Sequence, residues 1–450
     1  MSEPPLPSDL RGRVLWAPRA WVQGRWQESV QLAIDATGHW SELSCGVAPA
    51  SEAIKLTGPV LPGLVNAHSH AFQRAFAGMA ETRSNAMDDF WSWRDRMYGV
   101  ALRITPAELR AVTRQLCTEL LQGGYTQLCE FHYLHHQPDG KAYEDELEMA
   151  WAIADGAADA GIGLTLLPVL YERAGFTQPQ LRDDQRRFAT DAQRVLRMRD
   201  GIRAAASTSA RPNLNAGVAI HSLRAARPES IRALIKGCEG DDGPIHIHVA
   251  EQTAEVDECL TATGRRPIEW LAHERLLDAR WQLVHATHAT PAEIDAVAAS
   301  GAGVVLCPST EANLGDGIPD LPRWLASSAP LTLGSDSHVG RDWPGELRLL
   351  EYGQRLTLRR RNVCAAPELG EPSTAGRLFN RVSAGGAAAG LARWGVEVGA
   401  RADLLVVASA VMPGRIDPGD QLDDTVFAAA GQSFSYAMVR GRWRLDLEPV

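Results

Sequence analysis

Short apolar segments alternate with helix-like segments along the whole chain, and this alternation restricts the fold more than any other feature. The apolar segments are 63–70, 123–133, 162–173, 215–224, 245–252, 281–288, 301–315 and 330–338. Between them, segment 107–122 has helical periodicity and follows Thr105 and Pro106, a typical N-cap and first-turn pair. Eight strand–helix repeats predict an α/β protein with a closed parallel (β/α)8 (TIM) barrel. An open doubly wound sheet is the alternative, but no glycine-rich dinucleotide motif follows the first strand.

The two ends of the chain have a different pattern. Strand-like fragments broken by glycine and polar turns occupy residues 12–60, and similar fragments (GVEVGARADLLVVA, YAMVRGRWRL) lie near the C-terminus. We therefore expect residues 1–60 and 395–450 to form one small β-sandwich domain beside a barrel domain of residues 61–394. The Ala/Gly-rich segment 383–392 predicts a tightly packed helix.

Composition and charge exclude several classes of protein. The net charge of −10 disfavours nucleic acid and anionic membranes as general partners. No apolar run approaches membrane-spanning length, and the first residues, MSEPPLPSDLRGR, lack the apolar core of a secretory signal. The seven cysteines form no Cys-x-x-Cys pair, which argues against a disulfide framework and a cysteine zinc site. A cytoplasmic location is the resulting expectation.

Polar side chains follow six of the eight predicted strands. They are His68 and His70; Glu130, His132 and Tyr133; His221 and Arg224; His248 and Glu251; His285 and His288; Asp336 and His338. In a (β/α)8 barrel the chemistry is built at the C-terminal ends of the strands. Histidine or aspartate at all six of these ends is difficult to explain by packing alone, so the pattern predicts a metal site at one rim.

The His-x-His pair starts the predicted metal site. Successive side chains of a strand point to opposite faces, so His68 and His70 share a face and can bind one cation. His248 is the predicted third ligand, and His246 beside it is expected to be a buried, hydrogen-bonded supporter. Asp336 is the predicted fourth, anionic ligand. Three imidazoles and one carboxylate leave room for water, and a divalent metal would lower the pKa of that water to about 7.

These segments resemble the amidohydrolase superfamily over nearly the whole chain. The matching segments are PGLVNAHSH, HIHVAEQ, LVHATH, GSDSH and VGARADLLVV. Members with two metals use a carboxylated lysine at the fourth strand, whereas AIHSLR of this chain has no lysine, so the resemblance implies one divalent metal per subunit, with Zn²⁺ expected. It also implies that Glu251, three residues after His248, takes part in deamination of a C=N bond.

A narrower resemblance is to the formimidoylglutamate deiminases of bacterial histidine catabolism. It rests on NAHSHAFQR, FWSWRDRMY, EFHYLHH, HSLRA, HVAEQ and PSTEANLGDG. That family hydrolyses N-formimino-L-glutamate to N-formyl-L-glutamate and ammonia. The implied catalytic residues are Glu251, which would carry a proton to the imine nitrogen, and His285 and Asp336, which would position the attacking water and take its proton. His288 competes with His285 and is the weaker candidate because it lies later in its loop.

The same resemblance implies a set of substrate-binding residues. They are Gln73, Arg94, Tyr133, His221 and Arg224. The planar guanidinium of Arg224 suits a substrate carboxylate, because it donates two parallel hydrogen bonds. Arg94 lies far from any predicted strand end, and in the family this arginine comes from a neighbouring subunit, so a homodimer is implied. A local salt bridge is the alternative for Arg94.

Two other functions are compatible with these motifs. One is a mononuclear deaminase for an aromatic heterocycle such as guanine, which should use aromatic stacking rather than arginine. The other is a metal-binding scaffold without catalysis, for which Glu251 and His285 would be unnecessary.

Overall fold

Strands and helices alternate through the chain as its apolar pattern predicts. The computed structural model describes residues 7–82, 90–208, 210–408, 421–429, 431 and 433–446. The strands are β1 (Val14–Val22), β2 (Arg25–Ile34), β3 (Trp40–Ser44), β4 (Ile54–Lys55), β5 (Val60–Leu61), β6 (Leu64–Ser69), β7 (Tyr125–His132), β8 (Gly163–Leu170), β9 (Leu214–Ala216), β10 (Val218–Ile220), β11 (Ile245–Val249), β12 (Trp281–His285), β13 (Gly303–Leu306), β14 (Leu331–Leu333), β15 (Leu404–Val407), β16 (Phe434–Val439) and β17 (Arg442–Asp446).

The helices lie mostly between the barrel strands. They are α1 (Phe90–Ala101), α2 (Pro106–Gln122), α3 (Glu148–Ala160), α4 (Ala192–Ala206), α5 (Pro228–Lys236), α6 (Thr253–Thr263), α7 (Pro267–His273), α8 (Pro291–Ser300), α9 (Pro308–Leu314), α10 (Leu321–Ala326), α11 (Trp343–Leu358), α12 (Thr374–Ser383) and α13 (Gln421–Phe427). The described part of the chain also contains the short 3₁₀ segments Ala71–Ala75, Asp183–Phe188, Pro367–Leu369 and Ala387–Ala389. Among the described residues, no helix is both long enough and apolar enough to cross a bilayer.

Strands β6 to β14 form a closed parallel barrel. Consecutive strands pair with one another, β8 pairs with both β9 and β10, and β14 returns to β6. Strands β9 and β10 are two halves of one barrel strand, separated by Gly217. Strands β6, β7 and β8 are buried along their whole length, as expected for parallel strands covered on both faces. The eight-stranded (β/α)8 barrel is therefore confirmed.

Helix α2 shows how local sequence sets the element boundaries. The side chain of Thr105 accepts a hydrogen bond from the backbone N–H of Glu108, whose carboxylate accepts the Thr105 N–H in return. Pro106 occupies the first helical position, where no N–H donor is needed. The cap and first-turn pair predicted from the sequence is confirmed.

Strands from both ends of the chain form a second sheet. Its order is β17–β16–β15–β5–β1–β2–β3, with β4 paired to β1. This sheet has its own apolar core, which includes Leu15, Trp40 and Leu404. The prediction that the two ends meet beside the barrel is confirmed. Parts of the expected domain (residues 1–6, 409–420 and 447–450) lie outside the described residues.

The Ala/Gly-rich segment 383–392 is not the helix that we expected. Helix α12 ends at Ser383, and a turn leads into the 3₁₀ segment Ala387–Ala389. The carbonyls of this segment accept hydrogen bonds from the barrel interior, including one of 2.8 Å from His246 Nε2 to Ala388 O. These bonds use carbonyls that a continuous helix would keep for itself. The expectation that His246 is a buried, hydrogen-bonded residue agrees with this contact.

Candidate functional site

The first and last barrel strands bring two predicted ligands together. The Asp336 N–H donates to the His68 carbonyl at 3.0 Å, and the His70 N–H donates to the Asp336 carbonyl at 3.2 Å. Gly334 makes this approach possible, because a Cβ atom there would lie 2.6 Å from the His68 Cβ. The strand pairing therefore places the Asp336 carboxylate next to both imidazoles.

The four predicted metal ligands converge on one point, and we refer to them as the metal cluster (His68, His70, His248 and Asp336). His68 Nε2 lies 2.9 Å from His248 Nε2. Asp336 Oδ1 lies 3.4 Å from the Nε2 atoms of both His68 and His70. Three imidazole nitrogens and one carboxylate oxygen are the donor types that zinc and similar divalent ions accept.

Hydrogen bonds behind the rings fix the tautomers of two cluster histidines, His70 and His248. His70 Nδ1 lies 3.1 Å from the Phe131 carbonyl, and His248 Nδ1 lies 2.9 Å from the His221 carbonyl. A carbonyl oxygen only accepts, so each Nδ1 carries the proton and each Nε2 presents a lone pair to the cluster. Burial lowers the pKa of both histidines, which keeps the rings neutral. The residues present therefore fit a bound divalent metal.

Several residues other than glycine have a left-handed backbone at this rim. The φ angles are +51° at Ala250, +69° at His285 and +46° at Asp336. Such conformations cost of order 1–3 kcal/mol each and persist where the surroundings impose them. The strain therefore coincides with the ends of the fifth, sixth and eighth barrel strands, where the predicted ligand and catalytic residues lie.

A second group of titratable residues lies beside the metal cluster. His285 Nε2 is 3.8 Å from Glu251 Oε1 and 3.8 Å from Asp336 Oδ2. Burial raises the pKa of Glu251 to about 7, so this carboxyl can both accept and donate a proton near neutral pH. Burial opposes a charge on His285, but Glu251 and the other acidic neighbours outweigh it and raise the pKa of the imidazole well above its ordinary value. This environment stabilises the imidazolium that His285 forms after taking a proton.

Two buried glutamates that the sequence reasoning missed hold this group in place. Glu311 Oε1 lies 3.3 Å from His285 Nδ1 and accepts the Cys307 N–H at 2.8 Å. The Glu255 carboxylate accepts the backbone N–H groups of Ala250 (3.3 Å) and Glu251 (3.1 Å). In the sequence both glutamates look like ordinary first-turn residues of helices, so no local signal distinguishes them.

A third glutamate supports the turn after the first strand. Glu130 accepts a hydrogen bond of 2.5 Å from the Ser69 hydroxyl and one of 2.7 Å from the Ala71 N–H. Its position at the end of β7 was visible in the sequence, but its partners were not. Burial raises the pKa of Glu130 to about 8, which agrees with its enclosure under the His-x-His turn.

The five predicted substrate-binding residues all line one pocket above the metal cluster. The lining includes His70, Gln73, Trp93, Arg94, Met97, Tyr98, Tyr133, Tyr171, Phe188, His221, Ser222, Arg224, His248, Glu251, Glu255, His285, Leu314 and Asp336. The pocket therefore joins the metal cluster, the proton-carrying groups and two arginines. Tyr171 and Glu255 are lining residues that the motifs did not indicate, and Tyr98, the last residue of FWSWRDRMY, was not among the predicted substrate residues.

Arg94 reaches this pocket from helix α1 of its own chain. Its guanidinium carbon lies 5.6 Å from the centre of the Tyr98 ring, and its Nη2 atom lies 3.8 Å from Asp95 Oδ1. Arg94 thus lines the pocket of its own chain, while its supply by a neighbouring subunit stays a prediction. The local salt bridge that we considered is long and does not remove Arg94 from the pocket.

The remaining histidines lie outside the metal cluster. His288 does not line the pocket, and its N–H donates to the Ala250 carbonyl at 3.0 Å. His338 lies 2.9 Å from the Ser335 hydroxyl. His132 and His135 contact each other with ring centres 4.8 Å apart, and His136 Nε2 bonds to the Ala189 carbonyl at 2.9 Å. These contacts suit supporting roles.

Comparisons with known proteins agree with this geometry. A model of the amidohydrolase family matches residues 60–444. The chain is 44% identical over 431 residues to the formimidoylglutamate deiminase of Pseudomonas aeruginosa, which covers 95% of this chain and 94% of that protein.

Solved structures give the same architecture. An amidohydrolase from Brucella melitensis is 40% identical, with a TM-score of 0.90, and the match covers 96% of this chain and 95% of that one. An adenosine deaminase from Xanthomonas campestris with bound zinc is 21% identical, with a TM-score of 0.76 and coverage of 99% and 96%. The second likeness concerns the fold alone.

Proposed function

The chain belongs to the amidohydrolase family, and on that premise we propose that it hydrolyses N-formimino-L-glutamate to N-formyl-L-glutamate and ammonia. The enzyme is a hydrolase of C–N bonds in linear amidines and serves histidine catabolism. The observation that carries the proposal is the metal cluster beneath a pocket that also contains Arg94 and Arg224. The 44% identity to the Pseudomonas deiminase supports the same substrate.

The metal cluster would hold one Zn²⁺ ion. Its four donor atoms come from three neutral imidazoles and one carboxylate, which is an open catalytic set rather than a closed structural one. When bound, the ion supplies a water of lowered pKa and polarises the carbon under attack.

The chain's own residues move the protons. His285 and Asp336 position the attacking water and accept its proton, since the His285 imidazole lies 3.8 Å from the Asp336 carboxylate. Glu251 delivers one proton to the imine nitrogen as the water adds and a second as the C–N bond breaks, both derived from that water, so that neutral ammonia leaves. General acid–base help of this kind contributes about 10²–10⁴-fold. The 3.8 Å separation of Glu251 from His285 allows the two groups to exchange a proton through the substrate or one water.

The pocket binds the charged and the reacting ends of the substrate differently. The Arg224 and Arg94 guanidiniums face the two carboxylates of the glutamate part. Gln73 donates to the Tyr133 hydroxyl at 3.1 Å, while its buried carbonyl oxygen Oε1 has no partner among the described residues. A buried acceptor without a partner is costly, so Gln73 Oε1 is suited to an N–H of the formimino group. His221 and Tyr133 pack against the rings of the metal cluster and complete the wall.

The pocket favours an aliphatic anion over an aromatic heterocycle. A guanine-like substrate is neutral and offers no carboxylate to Arg94 and Arg224. A scaffold that only bound metal would have no use for Glu251 and His285, which lie beside the cluster. For the assembly and location we propose a homodimer in the cytoplasm.

Ammonia release is the test of the proposed function. Purified enzyme should release ammonia from N-formimino-L-glutamate when loaded with Zn²⁺, lose that activity on removal of the metal by a chelator, and regain it when Zn²⁺ is restored. Guanine serves as the comparison substrate. Release from guanine alone would replace the proposal with a heterocycle deaminase, and bound Zn²⁺ without release from either substrate would support a scaffold.

A further inference from the structure

A buried glutamine joins two tyrosines at the outer part of the pocket. Gln185 has no exposed surface, and its Nε2 donates to the Tyr171 hydroxyl at 2.9 Å and to the Tyr98 hydroxyl at 3.2 Å. The two hydroxyl oxygens lie 3.5 Å apart. Both tyrosines line the pocket, whereas Gln185 lies behind them. None of the three belongs to the set of substrate residues implied by the family motifs.

The orientation of the Gln185 amide is fixed by its other end. Gln185 Oε1 accepts the backbone N–H of Arg182 at 3.0 Å. A backbone N–H cannot bond to an amide NH₂ group, so the oxygen must face Arg182 and the two amide hydrogens must face the tyrosines. The tyrosine hydroxyls are therefore acceptors of the Gln185 bonds, and each keeps its own hydrogen.

Counting donors and acceptors then shows what the tyrosine pair offers a ligand. Each hydroxyl accepts from Gln185 Nε2, and one of the two hydroxyl hydrogens can bridge the 3.5 Å between the oxygens, donated by either tyrosine. The pair therefore has one hydrogen left over, for which the described residues offer no other acceptor. When Tyr98 is the bridging donor, both lone pairs of Tyr171 are used and the Tyr171 hydrogen is available to an acceptor on the ligand.

Ring contacts place Tyr171 one layer further from the metal cluster than the predicted substrate residues. The His221 ring centre lies 5.1 Å from that of His248 in the metal cluster, and the Tyr171 ring centre lies 4.4 Å from that of His221. Tyr171 thus contacts His221, which itself contacts the cluster. Tyr98 follows next, with the Arg94 guanidinium over its ring. The outer end of the pocket thus combines an O–H donor with a cation and suits a carboxylate.

We propose that the Tyr171 hydroxyl, aimed by Gln185 and Tyr98, donates a hydrogen bond to the side-chain carboxylate of the substrate and selects for it. This inference rests on the proposed function and adds three residues to it. Tyr171 contacts the substrate, whereas Gln185 and Tyr98 are positioning residues. The formimino group lies at the metal cluster, so the carboxylate at the far end of the glutamate chain is the one that reaches this layer.

The test compares substrates that differ only in the distal group. The Tyr171→Phe variant should raise KM for N-formimino-L-glutamate by about 10- to 100-fold, since a hydrogen bond to a charged group contributes roughly that much, with kcat nearly unchanged. It should leave kcat/KM unaltered for N-formimino-L-norvaline, in which a methyl group replaces the carboxylate. Equal losses on both substrates, or no loss on the first, would overturn the inference.

A second variant and a control separate positioning from packing. Gln185→Glu keeps the acceptor for the Arg182 N–H but replaces the amide donors with a carboxylate that attracts the Tyr171 hydrogen, so the same selective loss is expected. Tyr125→Phe removes the hydroxyl of a fully buried tyrosine at the start of β7, outside the pocket lining. It should leave kcat/KM unchanged for both substrates. A Gln185→Glu enzyme with wild-type selectivity would contradict the positioning role.

Binding without turnover distinguishes this inference from the proposed function. Calorimetric titration with N-formyl-L-glutamate and N-formyl-L-norvaline should show a preference for the dicarboxylate that Tyr171→Phe abolishes. A wild-type enzyme that releases no ammonia would refute the proposed function, while the titrations would still decide on the carboxylate subsite. Equal affinity of the wild type for the two ligands would refute the subsite.

Discussion

His68 and Asp336, from the first and last strands of the barrel, are joined through both backbone and side chain. The Asp336 N–H donates to the His68 carbonyl at 3.0 Å, and Asp336 Oδ1 lies 3.4 Å from His68 Nε2. The bond that closes the barrel is therefore also the bond that assembles the metal cluster. Folding of the barrel and formation of the site cannot be separated at this seam.

Substitution at Gly334 tests this coupling. A Cβ at residue 334 would lie 2.6 Å from the His68 Cβ and 2.8 Å from the Cys307 sulfur. Gly334→Ala should push β14 away from β6, lower the Zn²⁺ content measured by mass spectrometry and reduce stability by about 1–3 kcal/mol in urea unfolding. Gly99→Ala is the matched control, because a Cβ there meets no atom within 4 Å. Full metal occupancy in Gly334→Ala would show that the metal cluster forms even when β14 is displaced from β6.

The proton-carrying role of Glu251 predicts a loss of turnover without a loss of metal. Glu251→Gln keeps the shape of the side chain but removes the proton that leaves with ammonia, so kcat should fall by about 10²–10⁴-fold. Zn²⁺ content should stay at the wild-type level, since Glu251 is outside the metal cluster. Glu258→Gln provides a control, because Glu258 is an exposed residue of helix α6, which begins two residues after Glu251. Near-native kcat in Glu251→Gln would remove the residue from the mechanism.

Much of this site was predictable because strand ends in a barrel converge. The positions of His68, His248 and Asp336 followed from eight apolar segments and the polar residues after each, and the structure brings all three together. Glu255 and Glu311 could not be recognised, since their role depends on which backbone N–H groups the folded loops present to them.

Contacts between distant segments were also hidden from the sequence. Tyr98, Tyr171 and Gln185 come from three separate segments and meet only through packing. The prediction of a helix at 383–392 was wrong because side chains of the barrel interior donate hydrogen bonds to the carbonyls of that segment. The position of Arg94 in the pocket was known only from the family resemblance, because its own helix has no local signal for where it lies on the barrel.

Arg224 should contribute geometry as well as charge. Arg224→Lys keeps the cation but cannot make two parallel hydrogen bonds to a carboxylate, so KM for N-formimino-L-glutamate should rise by about 10-fold. Steady-state kinetics with ammonia detection would measure it. Arg232→Lys is the control, because Arg232 is exposed and pairs with Glu274 away from the pocket. Unchanged KM in Arg224→Lys would indicate that the residue supplies only long-range charge.

Glu346 predicts a pH dependence of stability that is independent of catalysis. Its carboxylate lies on α11, where it accepts the Ser309 N–H at 2.9 Å and contacts the Ser309 hydroxyl at 2.6 Å. Burial raises the pKa of Glu346 from 4.5 to about 8. The folded chain thus retains a proton that the unfolded chain releases above pH 4.5, so this group lowers the free energy of unfolding as pH rises from about 4.5 to about 8, with no further change above that.

Glu346→Gln should remove this dependence. A glutamine can accept the Ser309 N–H and donate to the Ser309 hydroxyl, as the protonated glutamic acid does, without a charge to bury. Relative to wild type, the variant should gain on the order of 3 kcal/mol between pH 5 and pH 8, since one pKa unit corresponds to about 1.4 kcal/mol. Urea unfolding of both proteins at the two pH values measures the difference, with the exposed Glu368→Gln as control. If wild type and Glu346→Gln lose equal stability over this range, Glu346 is ionised in the folded protein and the contact with Ser309 is a charged one.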